Sequence, residues 1–200
     1  DECQKDFPLM RFGKKIWVCP SWDEVIQTPK DAIIINMDPG LAFGTGSHHT
    51  TRLCLEYLDA NPPINLNVID FGCGTGILAI AAAKLGAAAI IAIDNDSQAV
   101  TSCKQNVMNN NCEKIIKIVR LQSEINFGSF DLIIANILAN PIIELSPLFI
   151  SYLSHNGKII LSGILEEQVN KVIDCYSENF TNIEVSNQNE WFRISCTKIE

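Results

Sequence analysis

The sequence predicts an α/β protein: a mostly parallel seven-stranded sheet with an antiparallel C-terminal hairpin and helices on both faces. Three observations predict it. Residues 66–85 run as an apolar strand, a turn of alternating glycines and an alanine-rich helix. Apolar strand-like runs then alternate with helical patterns as far as residue 179, and strands alternating with helices imply right-handed crossovers and a parallel sheet. The tail departs from this rule, because Asn182–Ser186 and Trp191–Thr197 are two strand patterns joined by a polar turn with no helix between them. A hairpin sets one strand against its neighbours.

Taken in order, Lys15–Cys19 and Ala32–Met37 are two short strand patterns separated by a polar, Pro-containing loop. They form a lead-in ahead of the first crossover unit. Strands are predicted at 66–71, 88–93, 115–119, 130–135 and 158–162, where β-branched and other apolar residues cluster between polar turns. Helices are predicted at 50–59, 77–85, 97–109, 139–153 and 166–179, with Ser97 as the cap of its helix and Gly157 in the turn before its strand. Residues 1–40 are thus a linker and lead-in, and 41–200 one α/β domain.

Composition narrows the functional class. Of 200 residues 47% are hydrophobic, enough for one sizeable core. The net charge of −8 and a pI near 4.9 argue against direct nucleic-acid binding, which relies on clustered cations, whereas the 15 Lys and Arg here are scattered. A basic partner suits this surface better. Eight cysteines contain no C-x-x-C pair and several lie inside apolar patterns, so buried free thiols are expected and no metal site. Free thiols favour a cytoplasmic location. No apolar run approaches a membrane span, and residues 1–15 are too charged for a signal peptide.

The glycine turn reads Asp70-Phe-Gly-Cys-Gly-Thr-Gly76. Gly72 and Gly74 leave no Cβ between the backbone and a ligand, and the helix beginning at Ile77 offers unpaired N–H groups, so a nucleoside cofactor can lie here. A dinucleotide fingerprint needs Gly-x-Gly-x-x-Gly, and its third glycine position holds Ile77. Asp94 ends the next apolar run, about 20 residues on, where an acid accepts ribose hydroxyls. A tight structural turn is the plainer reading of the glycines alone. With Asp94, the pattern resembles motif I of the Rossmann-like S-adenosyl-L-methionine (AdoMet) methyltransferases, whose fold also ends in an antiparallel hairpin.

Further segments sharpen the likeness. Asp38-Pro-Gly-Leu-Ala-Phe-Gly-Thr-Gly-Ser-His-His-Thr-Thr51 is a second glycine loop running into a helix, and Asn136-Ile-Leu-Ala139 follows a strand at the carboxyl edge. With Met10-Arg-Phe-Gly, Ile16-Trp-Val-Cys-Pro-Ser-Trp22 and Leu161-Ser-Gly-Ile-Leu165, the chain closely resembles the bacterial ribosomal protein L11 methyltransferase family over nearly its whole length. The resemblance implies AdoMet-dependent methylation of lysine and N-terminal amines of ribosomal protein L11. It implies that Thr51, Gly72, Asp94 and Asn136 contact the cofactor. Family members carry an additional small N-terminal substrate-recognition domain, which this chain is expected to lack, starting within the linker.

Residue chemistry supports three of those positions independently: Gly72 by close backbone approach, Asp94 by its carboxylate, and Asn136 by its strand-end position. Thr51 by itself reads as a helix N-terminal residue. Phe43 either covers the cofactor or substrate or anchors its loop on the core. His48 is a candidate proton acceptor or a polar loop residue. A lysine amine must lose its proton before attack, which at pH 7 costs about 4.6 kcal/mol. Asn136, the candidate catalytic residue, can accept hydrogen bonds from the amine and aim its lone pair, as Asn-Pro-Pro-Tyr loops do in other amino methyltransferases. The alternative substrate is another protein or a small molecule, since substrate choice varies around one cofactor site.

Overall fold

The computed structural model describes residues 9–20, 28–37 and 47–199. Seven strands form the main sheet: β4 (Asn67–Phe71), β5 (Ala89–Ile93), β6 (Ile116–Val119), β7 (Phe130–Asn136), β8 (Leu153–Leu165), β9 (Phe180–Gln188) and β10 (Trp191–Lys198). Their order is β6-β5-β4-β7-β8-β10-β9. All pairings are parallel except those of β10, which runs antiparallel to both β8 and β9. The predicted sheet, hairpin and strand count are therefore present. β10 lies between β8 and β9 although it follows both in the chain.

Side-chain alternation along each strand divides the core in two. Val68, Leu132, Ile134 and Ile160 face one side, under α1 (Ser47–Ala60), α2 (Ile77–Lys84) and α3 (Ser97–Asn109). Ile69, Ile133, Ala135 and Ile159 face the other, under α4 (Ala139–Glu144), α5 (Ser146–Tyr152) and α6 (Val169–Tyr176). Period-two alternation with both faces apolar gives near-continuous hydrophobic strands, as covered parallel sheets require.

The lead-in forms a second sheet of three strands, β1 (Met10–Phe12), β2 (Ile16–Pro20) and β3 (Ile33–Met37). β1 is a strand the sequence pattern did not mark, being three residues long. Phe12, Ile16, Val18, Ile35 and Met37 are fully buried in the core shared with α1 and α2. Polar fasteners complete the join: Asp59 of α1 accepts from the Lys14 and Lys15 N–H groups at 2.7 and 2.8 Å, and Asn110 exchanges two bonds with the Asn36 backbone.

Four local expectations are corrected. The single helix at 139–153 is two helices meeting at Leu145, because Pro147 has no N–H to donate and its ring disfavours a continuous turn, while a helix can start beside it. Residues 166–168 form a 3₁₀ turn ahead of α6, so that helix is shorter than predicted. Asp96, not Ser97, caps α3: its extended backbone lets the carboxylate accept from Gln98 N–H at 2.9 Å. Gly157 lies within β8, the turn conformation falling on Asn156 at φ 60°. No described helix is long and apolar enough to cross a membrane, and the seven described cysteines are free, six of them buried.

Candidate functional site

The chain builds β4, β5 and β6 outward in one direction, then returns to place β7 on the other side of β4. Between β4 and β7 the strand order reverses, and open α/β sheets bind ligands at the carboxyl side of such a switch point. A cavity of about 520 Å³ lies there, lined by Phe71, Gly72, Ile93, Asp94, Asn95, Arg120, Gln122, Ile137, Leu138, Pro141 and Leu145. Its size falls in the range of small-molecule sites, roughly 300–1,000 Å³.

The glycine loop is suspended from β5. Gly72 and Cys73 N–H groups both donate to the Ile93 carbonyl at 2.8 and 2.9 Å, and Gly74 N–H donates to Asp94 Oδ2 at 2.9 Å. Asp94 Oδ1 accepts from Asp96 N–H at 3.0 Å. Each carboxylate oxygen therefore retains a second acceptor direction for a ligand hydroxyl pair. Gly72 sits at φ 74°, a left-handed backbone that side chains rarely adopt, and a Cβ there would stand 2.6 Å from Ile137 Cγ2 in the loop after β7. At Gly74 a Cβ would meet nothing within 4 Å, which leaves the backbone open to a ligand.

Asp70 holds the helix side of the loop. It alternates onto the α2 face of β4, is 1% exposed, and its Oδ2 accepts from Ala79 N–H at 3.0 Å. Gly76, the residue at the N-cap of α2, offers no side chain. The Asp70 carboxyl supplies the missing cap from the preceding strand. Burial pushes its pKa up to about 7, against the lowering effect of the Ala79 bond and with a further rise from Asp94. The pKa of the Cys73 thiol, hydrogen-bonded to Cys103 and buried, is also raised and the thiol stays protonated. It is an inert thiol rather than a nucleophile.

Asn136 ends β7 one residue beyond the Phe71↔Ala135 pair, which sets it beside Gly72 across the switch point. Its Nδ2 donates to Thr51 Oγ1 at 3.4 Å, and Thr51 is buried on α1. Gly72, Gly74, Asp94, Asn136 and Thr51 are thus brought to one edge, Gly72 and Asp94 lining the cavity and Asn136 joining it through Ile137. His48 lies in α1 with its side chain outside the described residues, and Phe43 and the rest of 38–46 lie outside them altogether. Sequence reasoning missed Asn95, Arg120 and Gln122. Arg120 Nη2 donates to the Asn95 carbonyl at 3.2 Å, bridging the ends of β5 and β6 on the cavity wall. Their signal was position alone, immediately after β5 and β6 on the carboxyl edge.

A family model described as Ribosomal protein L11 methyltransferase (PrmA) matches residues 1–199. Over 197 residues the chain is 45% identical to the Ribosomal protein L11 methyltransferase of Aliivibrio salmonicida, and over 198 residues 44% identical to that of Vibrio cholerae. These alignments cover 98% and 99% of this chain but 66% of each relative, so the chain spans just under two thirds of their length. The crystal structure of ribosomal protein L11 methylase from Lactobacillus delbrueckii subsp. bulgaricus superposes with a TM-score of 0.87 at 31% identity, covering 97% of this chain and all of that one. A SAM-dependent O-methyltransferase of Thermotoga maritima, at 16% identity and TM-score 0.63 over 74% of this chain and 64% of its own, shares the fold alone.

Proposed function

The chain belongs to the ribosomal protein L11 methyltransferase family, and from that premise we propose that it transfers methyl groups from AdoMet to lysine and N-terminal amino groups of ribosomal protein L11. The observation that carries this reading is the amide of Asn136. With Nδ2 committed to Thr51, its Oδ1 is left to accept from an incoming amine at the strand end beside the cavity.

The residues present fit the cofactor. Asp94 keeps an acceptor direction on each oxygen for the ribose hydroxyls. The open space at Gly74 accommodates a ligand against the backbone, and Phe71, Ile93, Leu138 and Leu145 supply apolar wall. Bound there, AdoMet supplies a sulfonium methyl as the electrophile. Gly72 and Gly74 hold it by close approach, Asp94 fixes the ribose, and Thr51 orients Asn136 from behind.

Asn136 is the catalytic residue of this reading. A carboxamide oxygen is too weak a base to take the amine's proton, which passes to solvent before attack; Oδ1 then accepts an N–H of the neutral amine and points its lone pair along the line of attack. Its contribution is made in the transition state more than in cofactor binding. The departure from Asn-Pro-Pro-Tyr to Asn-Ile-Leu-Ala removes the aromatic residue from this loop, so cation–π support is not among its tools. In this reading residues 41–200 form the catalytic domain, the protein works in the cytoplasm, and its partner is the ribosomal protein rather than RNA or a membrane.

Calorimetry with AdoMet, followed by mass spectrometry of purified ribosomal protein L11 after incubation, tests the proposal. Cofactor binding followed by mass gains of whole methyl groups on amines of that protein supports it. AdoMet binding with no gain on that protein, but with gain on another protein or a small amine, would transfer the activity to the alternative substrate class.

A further inference from the structure

The peptide that joins Asn136 to Ile137 is gripped from β8. The Ile137 N–H donates to the Ser162 carbonyl at 3.1 Å, extending the β7–β8 ladder one step past the Asn136↔Ser162 pair. At the next residue, Gly163, φ is 92°, and a Cβ would collide with the Ile137 carbonyl oxygen and stand 2.9 Å from its carbon. The loop can therefore lie against β8 only because position 163 carries no side chain. Ser162 is fully buried, and its hydroxyl donates to the Thr50 carbonyl of α1 at 3.2 Å. The neighbouring Thr51 is the residue that holds the Asn136 amide. One support fixes the backbone of the loop, a second fixes the amide orientation, and Ser162 ties the two together.

We propose that Ser162 and Gly163 are positioning residues for the amine-accepting group of Asn136, an inference that rests on the reading of Asn136 given above. Neither reaches the reacting atoms. Their effect is transmitted through the Ile137 peptide and through α1. Alanine at 163 must adopt a left-handed backbone and push the Ile137 carbonyl away from β8. A displacement of about 1 Å at an orienting group is enough to cost roughly 100-fold in rate.

The test compares Gly163→Ala, Ser162→Ala and Asn136→Ala, and each β8 variant combined with Asn136→Ala. Three quantities are measured: the AdoMet Kd by calorimetry, the single-turnover rate of methyl transfer to ribosomal protein L11, and hydrogen exchange at the Ile137 amide. Gly163→Ala is expected to lower the rate about 100-fold, leave the Kd within about threefold, and speed exchange at Ile137. Ser162→Ala is expected to do the same more mildly, about tenfold in rate. Combined with Asn136→Ala, neither should slow the reaction further, because no amide remains to be aimed. Wild-type rates in the β8 variants, or penalties that multiply with that of Asn136→Ala, would overturn the inference. Should Gly163→Ala fail to fold by circular dichroism, the Ser162→Ala cycle decides by the same criterion. A wild-type rate in Asn136→Ala would refute the reading of Asn136 and this inference with it. Faster Ile137 exchange in the β8 variants would then still distinguish a gripped loop with no catalytic part from a loop that β8 does not hold.

Discussion

Replacing Asp70 by Asn should change how stability depends on pH. The carboxyl is buried with no carboxylate-sized solvent access, so its ionised form is penalised and its pKa rises from 3.8 to about 7. The folded protein therefore binds a proton that the unfolded chain has already released at mid-range pH. That contribution to stability is fully present below about pH 4 and is lost as pH rises through about 7. At about 1.36 kcal/mol per pH unit over this window, the loss totals about 4 kcal/mol. Asparagine has the same shape, can still accept from Ala79 N–H, and does not titrate. Urea unfolding of both proteins at pH 4, 5, 6, 7 and 8 cancels every other titrating group in the difference. The variant should gain on the parent by about 4 kcal/mol from pH 4 to pH 8, with the gain levelling off above about pH 7. A difference that stays constant with pH would show that Asp70 ionises normally in the fold, and the cap assigned to it would have to be a charged one.

The proposed cofactor site gives three more expectations. Asp94→Ala should weaken AdoMet by about 2–4 kcal/mol in calorimetry, since charge-assisted hydrogen bonds contribute roughly 1.5–3 kcal/mol each and are not additive; unchanged affinity removes Asp94 from the site. Because Asp94 also holds Gly74 N–H, Asp94→Asn serves to separate loop support from ligand binding, with thermal unfolding reporting the first. Asn136→Ala should lower kcat far more than AdoMet affinity, and equal losses in both would leave it a purely cofactor-holding role. Residues 1–200 should bind AdoMet without any added segment, because Thr51, Gly72, Gly74, Asp94 and Asn136 all lie within them; no heat of binding in calorimetry would show that the assigned site is incomplete.

What could be read ahead of the structure was local. The Asp70–Gly76 turn and Asp94 announce themselves because turn chemistry and a strand-end acid are written in a few consecutive residues. The strand-end position of Asn136 was legible for the same reason. The grip of Ser162 and Gly163 was not, since Ser162 meets Thr50 across 112 positions and only the packing of α1 on β8 brings them together. Arg120 and Gln122 were missed likewise, because their place on the cavity wall follows from sheet order and not from their own neighbours. At α3 two adjacent capping residues competed, and backbone geometry at Asp96 decided between them. Pro147 was visible throughout, yet the apolar period running through it masked the break between α4 and α5.

The place of β10 between β8 and β9 bears on how the protein is made. At about 5–20 residues per second of synthesis, β8 and β9 both exist before the strand that joins them, and each waits with a row of unpaired N–H and C=O groups. Such edges invite pairing with other chains. A message cut short before Trp191 would therefore leave β8 as an open edge and β9 with no partner on either side, a product more prone to aggregate than one that had lost only the outer strand β9. A ribosome stalled in that interval holds both strands without the one that joins them.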